Sequence, residues 1–394
     1  MNGTRRGFLG WANSGLAAIG LAGGKLEAKD HSAVGEDYYE KLGVTKIINA
    51  AGTYTALTAS TMPPSVQAAV ARAAKHPVRL HELQQAAGEY LARQLKCEGA
   101  MVTAGAASAL TLATAAAMTL GNRNAMHSIP TDVTGVKNEV IAQKGHRYEY
   151  DHAIRNCGAK FVEVQTLAEY EAAFTDRTVM TNFFNAAETG EISREDWIRV
   201  AHKHNVPCLN DAAADVPPIS NLWNYTQMGF DMVAFSGGKG MRGPQNAGLL
   251  LGKKDLIDAA HRNNSPNSDT VGRGMKVSKE QIVGMVAAVD WFLSQSDAAM
   301  EAEFRRRADR IAAQLKSIPT MESKVVIPNV AAGDRTGRLG LPASARGRLR
   351  LLLVALWCGM SRSSLVISAN LNVRRPARAT RRPDELRVSV SPRS

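Results

Sequence analysis

Asp231-Met232-Val233-Ala234-Phe235-Ser236-Gly237-Gly238-Lys239-Gly240, followed by Gly243-Pro244-Gln245-Asn246-Ala247-Gly248, is the stretch on which the reading of the chain turns. The apolar run Met232–Phe235 reads as a buried strand that delivers a lysine into a loop of small residues. A second apolar run, Gly248–Leu251, follows. Gly237, Gly238 and Gly240 let backbone and ligand approach the lysine closely, so Lys239 does not read as a solvated surface charge. A lysine used covalently must be partly neutral, and a semi-buried site lowers its pKa to that end. The plain alternative is a phosphate-binding glycine loop, but the Gly-x-x-x-x-Gly-Lys-[Ser/Thr] spacing of a nucleotide loop is not in the sequence.

Upstream, His204-Asn205-Val206-Pro207-Cys208-Leu209-Asn210-Asp211-Ala212-Ala213 is an apolar strand ending in an acid and then small residues. Alone, such an Asp is more often a turn residue or a helix cap. Further upstream, Val102-Thr103-Ala104-Gly105-Ala106-Ala107-Ser108 reads as a strand turning into an Ala-rich helix. The free N–H groups of such a helix start form an anion site, to which Ser108 adds a hydroxyl. From Tyr38 to about Leu251, β-rich runs at Ala100–Thr103, Glu139–Ala142, Phe161–Val164, Val179–Phe184, Val206–Leu209, Met232–Phe235 and Gly248–Leu251 alternate with helical stretches. Glu82–Leu95, Ser108–Met118 and Arg194–His204 are among these, the last with Ser193 as its cap. Alternation of this kind predicts an α/β fold with a mostly parallel sheet covered on both faces. Residues 278–293 read as one long helix capped by Ser278. A charged helix over about Ala299–Leu315 and a strand at Lys324–Ile327 follow.

The order of phosphate turn, Asp, Ser-Gly-x-Lys and Gly-Pro-Gln-x-x-Gly is similar to that of fold-type I pyridoxal phosphate enzymes. It resembles the branch holding L-seryl-tRNA(Sec) selenium transferase and D-glucosaminate-6-phosphate ammonia-lyase. Ile48-Asn49-Ala50-Ala51-Gly52-Thr53-Tyr54 and Gly274-Met275-Lys276-Val277-Ser278-Lys279-Glu280 also fit that branch, and the resemblance covers about residues 38–330. It implies a seven-stranded, mostly parallel sheet between helices, with a small C-terminal α+β domain that is here incomplete. It further implies pyridoxal 5'-phosphate as cofactor, Lys239 as its Schiff-base lysine and Asp211 as partner of the ring nitrogen. Gly105, Ala106, Ala107 and Ser108 would contact the phosphate, Ser236 would belong to the same site, and His146 would stack on the ring or serve as an ordinary loop histidine. The expected activity is an α,β-eliminating, deaminating lyase acting on a small amino acid or amino sugar acid. Selenium-transferase-type β-replacement on seryl-tRNA, an aminotransferase, and an exported binding protein that kept the fold and lost catalysis are the alternatives. Sites of this fold are completed by a neighbouring subunit, which implies a homodimer or larger assembly, with Arg273 or Lys276 reaching the partner's phosphate site.

The ends of the chain read differently from its body. Of the net charge of +12, residues 335–394 carry +11, from 13 arginines against Asp384 and Glu385. The remainder is balanced, which disfavours nucleic acid as a partner. Arginine without lysine in this segment suits a basic tail, a diverged piece of the C-terminal domain, or translation in a shifted frame of GC-rich DNA. Within it, Leu351–Trp357 is a short apolar run bracketed by arginines rather than turn signals. At the other end, Arg5-Arg6-Gly7-Phe8-Leu9 before a weakly apolar run to Ala22 resembles a twin-arginine export signal, too short to span a membrane. A periplasmic protein that folds in the cytoplasm is therefore expected, with a cytoplasmic one as the alternative. Such an enzyme would meet no charged tRNA. The expected division is 1–28 signal, 36–277 cofactor-binding domain with an N-terminal arm, 278–333 long helix and start of the C-terminal domain, and 334–394 tail. Cys97, Cys157, Cys208 and Cys358 are widely spaced and read as small buried groups rather than disulfides or metal ligands.

Overall fold

The computed structural model describes residues 35–49, 52–185 and 191–316, together with the backbone of 349–355 and 365–371. Seven strands form one sheet: β1 (Gly99–Thr103), β2 (Glu139–Gln143), β3 (Lys160–Val164), β4 (Thr178–Phe184), β5 (Cys208–Asp211), β6 (Met232–Ser236) and β7 (Gly248–Gly252). Their order across the sheet is β1-β7-β6-β5-β4-β2-β3. The pairs β2–β3, β2–β4, β4–β5 and β5–β6 are parallel, whereas β7 runs antiparallel to both β1 and β6. The exception has a local cause. β6 and β7 are joined by the lysine loop alone, and a connection without a crossover helix returns the chain antiparallel.

Six of the strands are buried on both faces because helices cover both, whereas the edge strand β3 leaves Lys160 and Glu163 exposed. Leu91 of α2 (Leu80–Gln94), Trp197 of α4 (Arg194–Lys203) and Phe292 of α6 (Lys279–Leu293) pack with Val102, Phe183 and Phe235 on one side. Helix α1 (Pro64–Ala74) adds Val66 to that layer. On the other side, α3 (Gly105–Thr119) and α5 (Lys254–Arg262) bury Leu110, Leu112 and Ile257 against Met101, Val140, Met180 and Leu250. Ser193 caps α4 through the Asp196 N–H, and Ser278 with Gln281 forms a capping box on α6. Helix α7 (Asp297–Lys316) follows.

The described residues 35–48 form a unit of their own, in which Asp37 caps the short helix Tyr38–Lys41. Near the C-terminus, β8 (Leu349–Ala355) pairs antiparallel with β9 (Leu365–Leu371). The first of these overlaps the apolar run read at Leu351–Trp357. The second, built on Leu365-Val366-Ile367, was not expected from the sequence. The signal at 1–28, the strand read at Lys324–Ile327 and Cys358 lie outside the described residues.

Candidate active site

The strand register aligns the chemistry along one edge of the sheet. Thr103 at the end of β1 pairs with Gly248 at the start of β7, and Gly248 pairs with Ser236 at the end of β6. Ala234 pairs with Asp211, and Asp211 with Phe184. Strands lie about 4.8 Å apart, so the turn after β1, the lysine loop after β6 and Asp211 fall within roughly 15 Å of one another.

Helix α3 begins immediately after Thr103. Gly105 has φ +84°, and a Cβ built there meets nothing within 4 Å, so the turn opens onto free space. No side chain caps this N-terminus, and the buried Ser108 Oγ has no hydrogen-bond partner. A helix start with free N–H groups and an orphaned hydroxyl is a seat for an anion, and the geometry therefore fits a cofactor phosphate. Ala106 and Ala107, in the same turn, keep side chains out of its way.

The lysine loop is clamped from several sides. Added Cβ atoms on Gly237 and Gly238 would fall 2.3 Å from Met285 Sδ and 2.6 Å from Gln245 Cα, and one on Gly240 would fall 2.0 Å from the Val216 carbonyl oxygen. Ser60 Oγ donates to the carbonyls of Gly238 (2.6 Å) and Lys239 (3.1 Å), and Gln245 Nε2 donates to Thr55 O (3.0 Å). The loop holds the half-buried Lys239 with its charge felt by two carboxylates, Asp211 and Asp215.

Asp211 is buried at the end of β5. Burial pushes its carboxyl up to about 7, while the Ala213 N–H and the charge of Lys239 pull the other way. The hydroxyl of Tyr148 donates to Asp211 Oδ2, and the Tyr148 ring stacks on Phe184 with centroids 3.9 Å apart. Tyr148 was not singled out by its sequence. His146, which was, lies buried against Phe183, edge-on at 4.5 Å, where its Nδ1 accepts the Phe184 N–H at 3.2 Å. The aromatic ring set against Asp211 is thus that of Tyr148.

A second buried carboxylate lies beyond Asp211. Asp215 accepts from Asn185 Nδ2 and, at 3.3 Å, from Tyr225 Oη, and Arg194 Nε donates to Asn185 Oδ1 at 2.5 Å. Burial pushes Asp215 up to about 6, against those bonds and the charges of Arg194 and Lys239. Its signal in the sequence, an Asp four residues after another, is too common to stand out. Ser236 is half-buried at the mouth of the loop. Arg273 Nη1 lies 3.4 Å from Ser265 Oγ.

Comparison with known proteins agrees with this geometry. The family model described as L-seryl-tRNA selenium transferase matches residues 47–345. D-glucosaminate-6-phosphate ammonia lyase of Salmonella typhimurium is 31% identical over 287 residues, 70% of this chain and 75% of that protein. A 5'-C-glycyluridine monooxygenase-decarboxylase of a Streptomyces species is 29% identical over 314 residues, 76% of this chain and 75% of that protein. A solved structure of D-glucosaminate-6-phosphate ammonia-lyase superposes with a TM-score of 0.66 at 29% identity, covering 76% of this chain and 80% of that one.

Proposed function

The chain belongs to the L-seryl-tRNA selenium transferase family of pyridoxal phosphate-dependent enzymes, and from that premise we propose that it is a lyase. Its reaction would be an α,β-elimination with loss of ammonia from a small amino acid or amino sugar acid. The observation that carries the reading is the buried Asp211, set on the same strand edge as the lysine loop and within the field of Lys239. The ammonia lyase relative, matched over three quarters of its length and in fold, supports elimination over other chemistries.

When bound, pyridoxal phosphate supplies an electron sink for negative charge at the substrate α-carbon. This chain's residues do the rest. The start of α3, from Gly105 to Ser108, would hold the phosphate through backbone N–H groups and the Ser108 hydroxyl. Lys239 would anchor the cofactor covalently. Its Nζ would also take the α-proton of the substrate and pass it on to the leaving β-hydroxyl. Asp211 would keep a proton on the ring nitrogen, and the hydroxyl of Tyr148, which donates to Asp211, favours the ionised form that this needs. Homodimeric assembly and periplasmic export belong to this reading as proposals, checked by light scattering and by cell fractionation.

A second reading, β-replacement on seryl-tRNA, is favoured by the description of the matching family model. The two are separated by incubating purified holoenzyme with pools of amino acids and amino sugar acids, and in parallel with seryl-tRNA and selenophosphate. Elimination predicts ammonia and a 2-oxo acid from the first mixture, lost in Lys239→Ala. Turnover of seryl-tRNA alone would replace the lyase reading. Borohydride reduction and peptide mapping should place the label on Lys239, and a label on another lysine would sink both readings.

A further inference from the structure

At the opposite edge of the sheet from Asp211, three potential metal ligands converge. Cys208 is the first residue of β5, Asp231 immediately precedes β6, and His202 lies in the last turn of α4. His202 Nε2 is 3.0 Å from Asp231 Oδ2, Cys208 Sγ is 3.2 Å from the same oxygen, and Sγ and Nε2 are 3.9 Å apart. Cys208 and Asp231 are buried, and the His202 side chain is 41% exposed, so the cluster opens to solvent on one side.

We propose that His202, Cys208 and Asp231 bind a thiophilic divalent cation of the zinc class, which ties α4 to the starts of β5 and β6. The spacing suits such an ion. Tetrahedral ligands at zinc bond lengths stand roughly 3.3 Å apart for N and O and about 3.5 Å for S and N. The three separations here bracket those values, so only small side-chain shifts are needed. The fourth position falls to water on the exposed side. One thiolate and one imidazole select zinc, cobalt or cadmium over magnesium or calcium, which take oxygen ligands.

The surroundings are arranged as an outer shell. Lys253 Nζ holds the other carboxylate oxygen, Asp231 Oδ1, at 2.6 Å, leaving Oδ2 for the ion. The Cys208 N–H donates to Oδ2 at 2.7 Å and fixes its direction. On binding, the thiol gives its proton to solvent, and the metal–sulfur bond replaces the contact between Sγ and Asp231. Both strands of this site run on into the edge that carries Asp211 and the lysine loop, but the site itself is about three strand residues, or 10 Å, from Asp211. It therefore stands independently of the proposed reaction.

The test is a cobalt(II) titration of the metal-stripped full-length holoenzyme, read in the visible d–d bands of tetrahedral cobalt, clear of the cofactor's absorbance. One intense tetrahedral site per chain is expected, displaced by zinc and lost in both Cys208→Ser and His202→Ala. The exposed His202 makes the second variant safe for folding. Zinc should raise Tm in the wild type and in neither variant. Absence of a tetrahedral band overturns the proposal, as does a band that survives in either variant.

Discussion

Asp211 and Tyr148 show how one residue's chemistry depends on a neighbour far away in the chain. Asp211→Asn should keep the cofactor but lose turnover by on the order of 3 kcal/mol, about a hundredfold, because an amide cannot keep the ring nitrogen protonated. Steady-state kinetics on cofactor-loaded protein checks this, and wild-type turnover would remove Asp211 from the mechanism. Tyr148→Phe keeps the stack on Phe184 and removes only the hydroxyl on Asp211. A smaller loss is expected, about tenfold in kcat/KM, with Tm nearly unchanged. Equal losses in the two variants would assign Tyr148 a direct chemical role instead. The placement of Lys239 and Asp211 on one strand edge was legible in the sequence because each stands where an apolar run gives way to small residues. Tyr148 was not, since only the adjacency of β2, β4 and β5 brings its loop to Asp211.

At the scale of elements, all seven sheet strands were legible: most are buried on both faces, which demands near-continuous apolar runs, and the edge strand β3 shows as the short β-rich run Phe161–Val164. The starts of α4 and α6 were legible through Ser193 and Ser278, whose hydroxyls do local work. The clamp on the lysine loop was not, for it comes from Ser60, the backbone at Val216 and the Met285 side chain, which are remote in sequence. Glycines test this clamp. In Gly240→Ala the new Cβ would stand 2.0 Å from the Val216 carbonyl oxygen and 2.9 Å from its carbon, and backbone cannot swing aside as a side-chain tip can. The expected cost is on the order of 3 kcal/mol in denaturant unfolding, with weakened cofactor retention. Gly274→Ala, where a Cβ meets nothing within 4 Å, should change stability by no more than about 0.5 kcal/mol. Similar losses at both positions would mean that the loop is held by something other than close backbone packing.

The whole molecule places its two polar clusters at opposite ends of the same strands, and only the cluster on the active edge buries carboxylates at elevated pKa. Asp211 is pushed up to about 7 and Asp215 up to about 6, where exposed carboxyls would sit near 3.8. The cofactor-free fold therefore binds more protons than the unfolded chain between those limits. The sign follows: its stability is favoured below about pH 4 and declines as pH rises through 6 and 7. For Asp211 alone the scale is on the order of 4 kcal/mol. Cofactor binding should reverse this at Asp211, because a protonated ring nitrogen favours the carboxylate over the acid. The gap in Tm between cofactor-loaded and cofactor-free protein should then widen from about pH 5 to about pH 8. Part of any widening belongs to Lys239, whose covalent use competes with protons, so the comparison is with Asp211→Asn, which keeps the lysine and removes the titrating carboxyl. Differential scanning fluorimetry of both proteins, with and without cofactor, makes the measurement. The wild type should widen more than the variant, and an equal response in the two would break the link between the buried acid and the ring.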